Sequence, residues 1–191
     1  HHHIKNHLQG VGGLLSQQAS ANPSIATILQ GAISQISAIS IIHGLQADEA
    51  REELAIADLV LSIFKSTQGF RSAPMTLVNL TDRTIMLGQN EGVPVALILN
   101  ELLMNAIKHN TNNTEIKMNC IIVEKNHIEI EIINSAPPLP DSFNFNTSQA
   151  LGTGLSLVRS LMPPKGANLE IVWLEGLIYT KLTLIHPVIH C

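Results

Sequence analysis

Apolar positions along the first 47 residues follow a helical period. Ile4, Leu8, Val11 and Leu15 recur at spacings of four, three and four, a seam of coiled-coil type. Asn22-Pro23 stops this helix and starts a second, because proline is tolerated in a first turn. Ile25, Leu29, Ala32, Ile36, Ile39 and His43 carry the seam onward, and Ile28, Ile33, Ile41 and Ile42 widen it. Two helices cannot enclose that much isoleucine, but four can. A hairpin pairing with its own copy in a four-helix bundle is the simplest solution.

The pattern changes near residue 48. Asp48–Phe64 has helical spacing after an acidic start. Thr76–Leu80 and Arg83–Leu87 read as short strands, and Val93-Pro94 opens a helix running to His109. Glu115–Glu124 and His127–Asn134 alternate as two strands around a Lys125-Asn126 turn. Pro137-Pro138-Leu139-Pro140 ends that edge, and the polar stretch Asn144–Gly152 is expected to be mobile. Gly154–Met162 reads as a helix stopped by Pro163-Pro164, and Asn168–Trp173 and Ile178–Ile185 as closing strands. The expected class is α+β. Residues 1–47 form the hairpin, and residues 48–191 form an α/β sandwich of a mostly antiparallel sheet with helices on one face.

Composition narrows the function. The 191 residues hold 11 Lys+Arg against 15 Asp+Glu, a formal net charge of -4, so nothing favours nucleic acid. Apolar residues make up 45% and aromatics 3%, so the core is aliphatic. Charged residues are 14%, low against the roughly 25% of an average domain, which implies surface hidden in a partner or second copy. Two distant cysteines, Cys120 and Cys191, argue against a disulfide scaffold and for a reducing cytosol. Ser34, Gln35, Ser37 and Ser40 interrupt the most apolar helix, so no membrane contact is expected. The polar, histidine-rich opening is unlike a signal peptide.

Three segments carry candidate chemistry. His1-His2-His3 admits a purification-tag reading, but His2 falls roughly 150° from the hairpin seam, on the exposed side, at about 100° per residue. Asn6 shares its face one turn on. An exposed imidazole beside an amide suits a nucleophile that meets a large partner. His3 and His7 also make an i, i+4 metal-capable pair, with no carboxylate or cysteine ligand nearby. In Val95–His109, Glu101, Asn105 and Lys108 fall within about 60° of one another on an otherwise apolar rod. Burying that stripe unpartnered costs about 1 to 3 kcal/mol per group, a cost that phosphates and an ion would remove. Asn105 offers a carbonyl ligand for Mg²⁺, Lys108 a point charge for phosphate, and His109 a hydrogen bond. The alternative is a helix with a solvated face. Gly152-Thr153-Gly154-Leu155 puts flexible residues before a helix start, where backbone N–H groups favour phosphate.

His1-His2-His3-Ile4-Lys5-Asn6-His7-Leu8-Gln9 resembles the phosphoacceptor box of sensor histidine kinases of two-component systems. The resemblance makes His2 the phosphorylated residue, and Asn6 the residue that orients water for dephosphorylation. Asn100-Glu101-Leu102-Leu103-Met104-Asn105-Ala106-Ile107-Lys108-His109 resembles the asparagine box of the GHKL superfamily. That implies a Bergerat ATP-binding fold, Asn105 on Mg²⁺, Lys108 and His109 toward the nucleotide phosphates, and Glu101 at the water-activating position of the ATPase members. Gly152, Thr153, Gly154 and Leu155 resemble the superfamily's second glycine box, which makes Asn144–Leu151 a short ATP lid. Where the family has Asp-x-Gly-x-Gly, this chain has Asn134-Ser135-Ala136-Pro137-Pro138. Asn134 can still accept the adenine hydrogen bond, but both glycines are gone.

These resemblances imply a cytoplasmic kinase core, of the kind that forms the cytoplasmic portion of a longer sensor protein. It would dimerise through residues 1–47, use ATP and Mg²⁺, phosphorylate itself on His2 and pass the phosphoryl group to a response-regulator receiver domain. Two other readings stand beside it: a non-catalytic phosphotransfer protein with a degenerate nucleotide site, and a GHKL ATPase or regulatory binding module. Trp173 is assigned to strand packing, and His43, His127, His186 and His190 to structural or surface roles.

Overall fold

The computed structural model describes residues 2–48, 53–70, 73–80 and 84–191. Helices α1 (His2–Ala21) and α2 (Ala26–Asp48) form the hairpin. Asn22 ends α1 by donating its side-chain Nδ2 to the Gln18 carbonyl at 3.0 Å, and Pro23 opens the short 3-10 turn that leads into α2. Lys5 Nζ lies beside Gly44, and Gly12 beside Ile36, so the two helices run antiparallel.

The hairpin seam divides differently from its sequence pattern. Leu8, Gly12, Leu15 and Ala19 form the half-covered face of α1. Ile4 and Val11 remain 45% and 47% exposed, together with Leu14, Ile25 and Ile28. One helix partner can cover only one side of a four-three repeat, so half of the seam is left outside.

α2 also belongs to the second region. Ala38 and Ile42 are buried in the same core as α3 (Ile56–Thr67) and α4 (Gly92–His109). Pro23–Ala47, with mean hydropathy 1.7, is long and apolar enough by length and composition to cross a membrane. The polar interruptions hide this in a search for unbroken apolar runs. In the fold, two of them, Ser34 and Gln35, meet α4.

α3 starts at Ile56, not at residue 48. Leu54–Ile56 is diverted into backbone bonds with the next strand segment. Leu87 N–H donates to the Leu54 carbonyl at 2.8 Å, and Ile56 N–H to the Ile85 carbonyl at 3.0 Å. Residues 49–52 and Arg83 of the sequence expectation lie outside the described residues.

The main sheet has the order β1-β3-β4-β6-β5, with β1 (Met75–Val78), β3 (Ile116–Glu124), β4 (His127–Ser135), β5 (Ala167–Leu174) and β6 (Leu177–Ile185). β1 pairs parallel with β3 and every other pairing is antiparallel. A second, two-stranded sheet pairs β2 (Met86–Leu87) with β7 (Ile189–His190). Ile128, Ile130, Ile132 and Asn134 alternate inward along β4, as period-two patterning demands. α3, α4 and α5 (Thr153–Leu161) contribute to the same core as that inner face. On the outer face, Lys181 Nζ sits 3.4 Å from Glu170 and 3.9 Å from Glu129. The α+β class, the helical hairpin and the one-faced mixed sheet are therefore as the sequence implies.

Two predictions follow from this packing. Gly166 has φ +84, and an added Cβ would lie 2.8 Å from the Ile185 carbonyl oxygen. Gly166→Ala should lower unfolding free energy in urea by about 2 kcal/mol, while Gly69→Ala, which meets open space, stays within about 0.5 kcal/mol. Burial pushes the Cys120 thiol up to about 12. In the native chain a disulfide reagent should titrate only Cys191, with Cys120 reacting on unfolding.

Candidate functional site

The last turns of α4, the end of β4 and the start of α5 enclose a cavity of ≈ 410 Å³, within the usual range for small-molecule sites. Asn105, Lys108 and His109 line one wall, Asn134 and Ala136–Pro140 another, and Gly152 and Leu155 a third. Ile171, Ile178 and Thr180 of the sheet also line it.

Local bonds fix these walls. Beyond α4, Thr111 N–H donates to the Ser135 carbonyl at 3.0 Å, and Ser135 N–H donates to Asn110 Oδ1 at 3.2 Å. These ties hold Lys108 and His109 against the end of β4. Asn134 is 3% exposed, and its Nδ2 donates to the Ser135 carbonyl at 3.2 Å. Its side-chain carbonyl stays available as an acceptor on the cavity wall. The proline box costs the loop its glycines, yet the Ala136 backbone is well held. Ala136 N–H donates to the Gly176 carbonyl, and Trp173 Nε1 donates to the Ala136 carbonyl at 2.9 Å.

The asparagine helix and the glycine segment, about fifty residues apart in the chain, meet here. A Cβ on Gly154 would lie 2.8 Å from Glu101 Oε2 and 3.4 Å from Asn105 Oδ1. Only glycine permits this approach. Glu101 does not line the cavity; it lies buried behind Gly154, with Oε1 accepting from Gln35 Nε2 of α2 at 2.9 Å. Thr153 and Gly154 likewise flank the cavity without lining it. Next to Glu101, Asn100 Nδ2 donates to Ser34 Oγ at 3.1 Å.

Lys108 gives the cavity its positive charge, and His109 stands beside it. Partial burial, and secondarily the Lys108 charge, hold the His109 imidazole below its ordinary pKa. The polar segment Asn144–Gly152, expected to be mobile, carries hydrogen bonds of its own. Asn144 and Gln149 exchange both backbone hydrogen bonds at 3.0 Å, and Arg159 Nη1 donates to the Phe145 carbonyl at 3.1 Å and to Ser148 Oγ. A short polar loop can close on its own backbone, which composition does not reveal.

His2 and Asn6 are not brought to the cavity. The side chain of His2 lies outside the described residues, and Asn6 is exposed on α1. His2 opens α1 near the Asp48 end of α2, whereas Glu101 meets α2 at Gln35. That offset, from Asp48 to Gln35 along α2, is about 20 Å at 1.5 Å per residue. α4 lies antiparallel to α2, with Gly92 beside Ile42, so Asn105 is farther still from that end.

Two residues at the cavity escape sequence reading. Thr180 is 8% exposed and sits one pair from Asn134 on the inner face, since Ile132 pairs with Thr180 and Asn134 with Ile178. A hydroxyl in the inward column Thr180, Leu182, Leu184 was the available signal. Trp173 is not merely strand packing; its indole N–H holds the cavity rim. Buried or half-buried tryptophan usually finds such an acceptor, but the partner depends on sheet register.

Residues 1–68 match the family model HisKA_2, described as histidine kinase. The chain is 23% identical over 169 residues to the sensor histidine kinase PdtaS of Mycolicibacterium smegmatis, covering 85% of this chain and 33% of that protein. It is 23% identical over 168 residues to PdtaS of Mycobacterium tuberculosis, with the same coverage. The chain thus spans about a third of the length of these relatives. Among solved structures, it is similar to the histidine kinase domain of the Erythrobacter litoralis EL346 blue-light activated histidine kinase, with TM-score 0.64 and 11% identity over 96% of this chain and 89% of that one. It is also similar to the catalytic domain of histidine kinase ThkA, with TM-score 0.53 and 18% identity over 70% of this chain and 94% of that one. Residues 1–68 thus match the histidine kinase model HisKA_2, and the chain has the fold of the histidine kinase domains to which it is similar.

Proposed function

We propose that the chain is the catalytic core of a sensor histidine kinase, working in the cytoplasm, which phosphorylates His2 from Mg-ATP and passes the phosphoryl group to a response-regulator aspartate. The observation that carries this is the convergence of Asn105, Lys108, His109, Asn134 and Gly152 on one cavity. An amide oxygen, a cation and a helix start at one end suit a polyphosphate. An acceptor on Asn134 beside Leu155, Ile171 and Ile178 suits a flat base with an exocyclic amine.

In this reading Asn105 would hold Mg²⁺ through its side-chain carbonyl, and the ion would supply charge neutralisation on the phosphates. Lys108 and His109 bind and orient the phosphate chain. Gly154 lets α5 approach Asn105. His2 attacks as the neutral imidazole: the N–P bond forms as the bond from the γ-phosphorus to its bridging oxygen breaks, and ADP leaves. Asn6, exposed one turn from His2, orients water for dephosphorylation. Because His2 and the cavity are offset along the hairpin, transfer requires the catalytic region to move relative to α1. Ile4, Val11, Leu14, Ile25 and Ile28 supply the apolar surface for a homodimer through residues 1–47. The reading is favoured over a phosphotransfer protein with a decayed site because the Asn134–Pro138 box leaves the cavity open.

Incubation with labelled ATP tests this directly. Wild type should acquire acid-labile, base-stable phosphate. His2→Gln should acquire none, and Asn105→Ala should lose at least about 100-fold in rate. Label retained on His2→Gln would refute the assignment. A second expectation concerns pH. Bound polyphosphate favours the imidazolium of His109, whose pKa is lowered in the free chain, so binding takes up a proton and tightens as pH falls. Between pH 8 and 6 the affinity gain of wild type should exceed that of His109→Gln by about threefold or more, a comparison that cancels the ligand's own titration.

A further inference from the structure

We infer that Gln35, on the hairpin, is a positioning residue for the nucleotide cavity: its amide holds the Glu101 carboxylate behind Gly154 and out of the phosphate site. The inference rests on the reading of the cavity as an ATP site.

Glu101 is 7% exposed, with Ile98 and Leu102 of its own helix buried around it. A carboxylate so placed needs a donor, and Gln35 Nε2 at 2.9 Å is the side-chain donor it has among the described residues. The other oxygen, Oε2, faces Gly154 closely enough that a Cβ there would stand 2.8 Å away. One carboxylate therefore touches the hairpin on one side and the glycine segment on the other. One turn further along α4, Asn105 does line the cavity, while Glu101 does not.

Without the Gln35 amide, the carboxylate gains most by turning toward water, and the nearest opening is past Gly154, where the phosphates would lie. Negative charge would then face negative charge in a partly desolvated cleft. The adjacent Asn100 to Ser34 bond, at 3.1 Å, keeps α2 in the register that brings Gln35 to Glu101. Docking of the hairpin is in this way converted into nucleotide affinity, through a contact between residues 66 apart in the chain.

The test is calorimetric titration of the full chain with the magnesium complex of a non-hydrolysable ATP analogue, using wild type, Gln35→Met, Glu101→Gln and the double variant. Gln35→Met should bind about fivefold more weakly than wild type. In the Glu101→Gln background, where no charge has to be held back, the same substitution should change affinity by less than about twofold. A merely structural role would lower the thermal midpoint and weaken binding equally in both backgrounds. Equal weakening, or unchanged binding by Gln35→Met, overturns the inference and leaves the kinase reading standing. Absence of saturable binding by folded wild type overturns both. Gln35→Leu, with the same expectation, replaces Gln35→Met should that variant not fold.

Discussion

Two polar side chains buried in an apolar helix fix how the two parts of this molecule meet. Asn100 and Glu101 lie 1% and 7% exposed in α4, and leaving either unpaired would cost about 1 to 3 kcal/mol or more. α2 answers both, with Ser34 for Asn100 and Gln35 for Glu101. That register puts Ile42 against Gly92 and buries Ala38 and Ile42 in the core of the α/β region. It also sets the offset between the start of α1 and the cavity. The hairpin is thus an integral wall of the α/β region, and the domain boundary near residue 47 marks a change of pattern more than a break in packing.

On the kinase reading, this geometry separates two tasks. The docked arrangement shapes the nucleotide cavity, and phosphoryl transfer needs a second arrangement in which the cavity reaches the start of α1. Polar contacts between helices suit such a pair of states better than a continuous apolar seam, because water can take over each hydrogen bond when the surfaces part. The exposed half of the α1 seam lies away from α4 and remains free for a second copy.

Legibility in the sequence followed the range of the interactions. α4 was readable because eighteen residues keep one period between Val93-Pro94 and Asn110. β3, β4, β5 and β6 were readable because apolar alternation, complete in β4 and partial in β3 and β5, is local. The start of α3 was not, since Leu54–Ile56 is captured by Ile85 and Leu87, and β7 is two residues long. The meeting of Asn105 with the glycine segment was readable through family resemblance, whereas Thr180 and Trp173 depend on strand register. The burial of Glu101 behind Gly154, clasped from α2, required three dimensions: the stripe of Glu101, Asn105 and Lys108 looks uniform on a helical wheel, but its first member is covered by the hairpin.

The central claim is that the cavity between α4 and the start of α5 takes Mg-ATP. Backbone amide NMR during titration with the magnesium complex of a non-hydrolysable ATP analogue reads this residue by residue. The account predicts saturable shifts concentrated at Asn105–His109, Asn134–Ala136 and Gly152–Leu155. Shifts absent there, or gathered in the cleft between α1, α2 and α3 around Ser40 and Ser62, would contradict it.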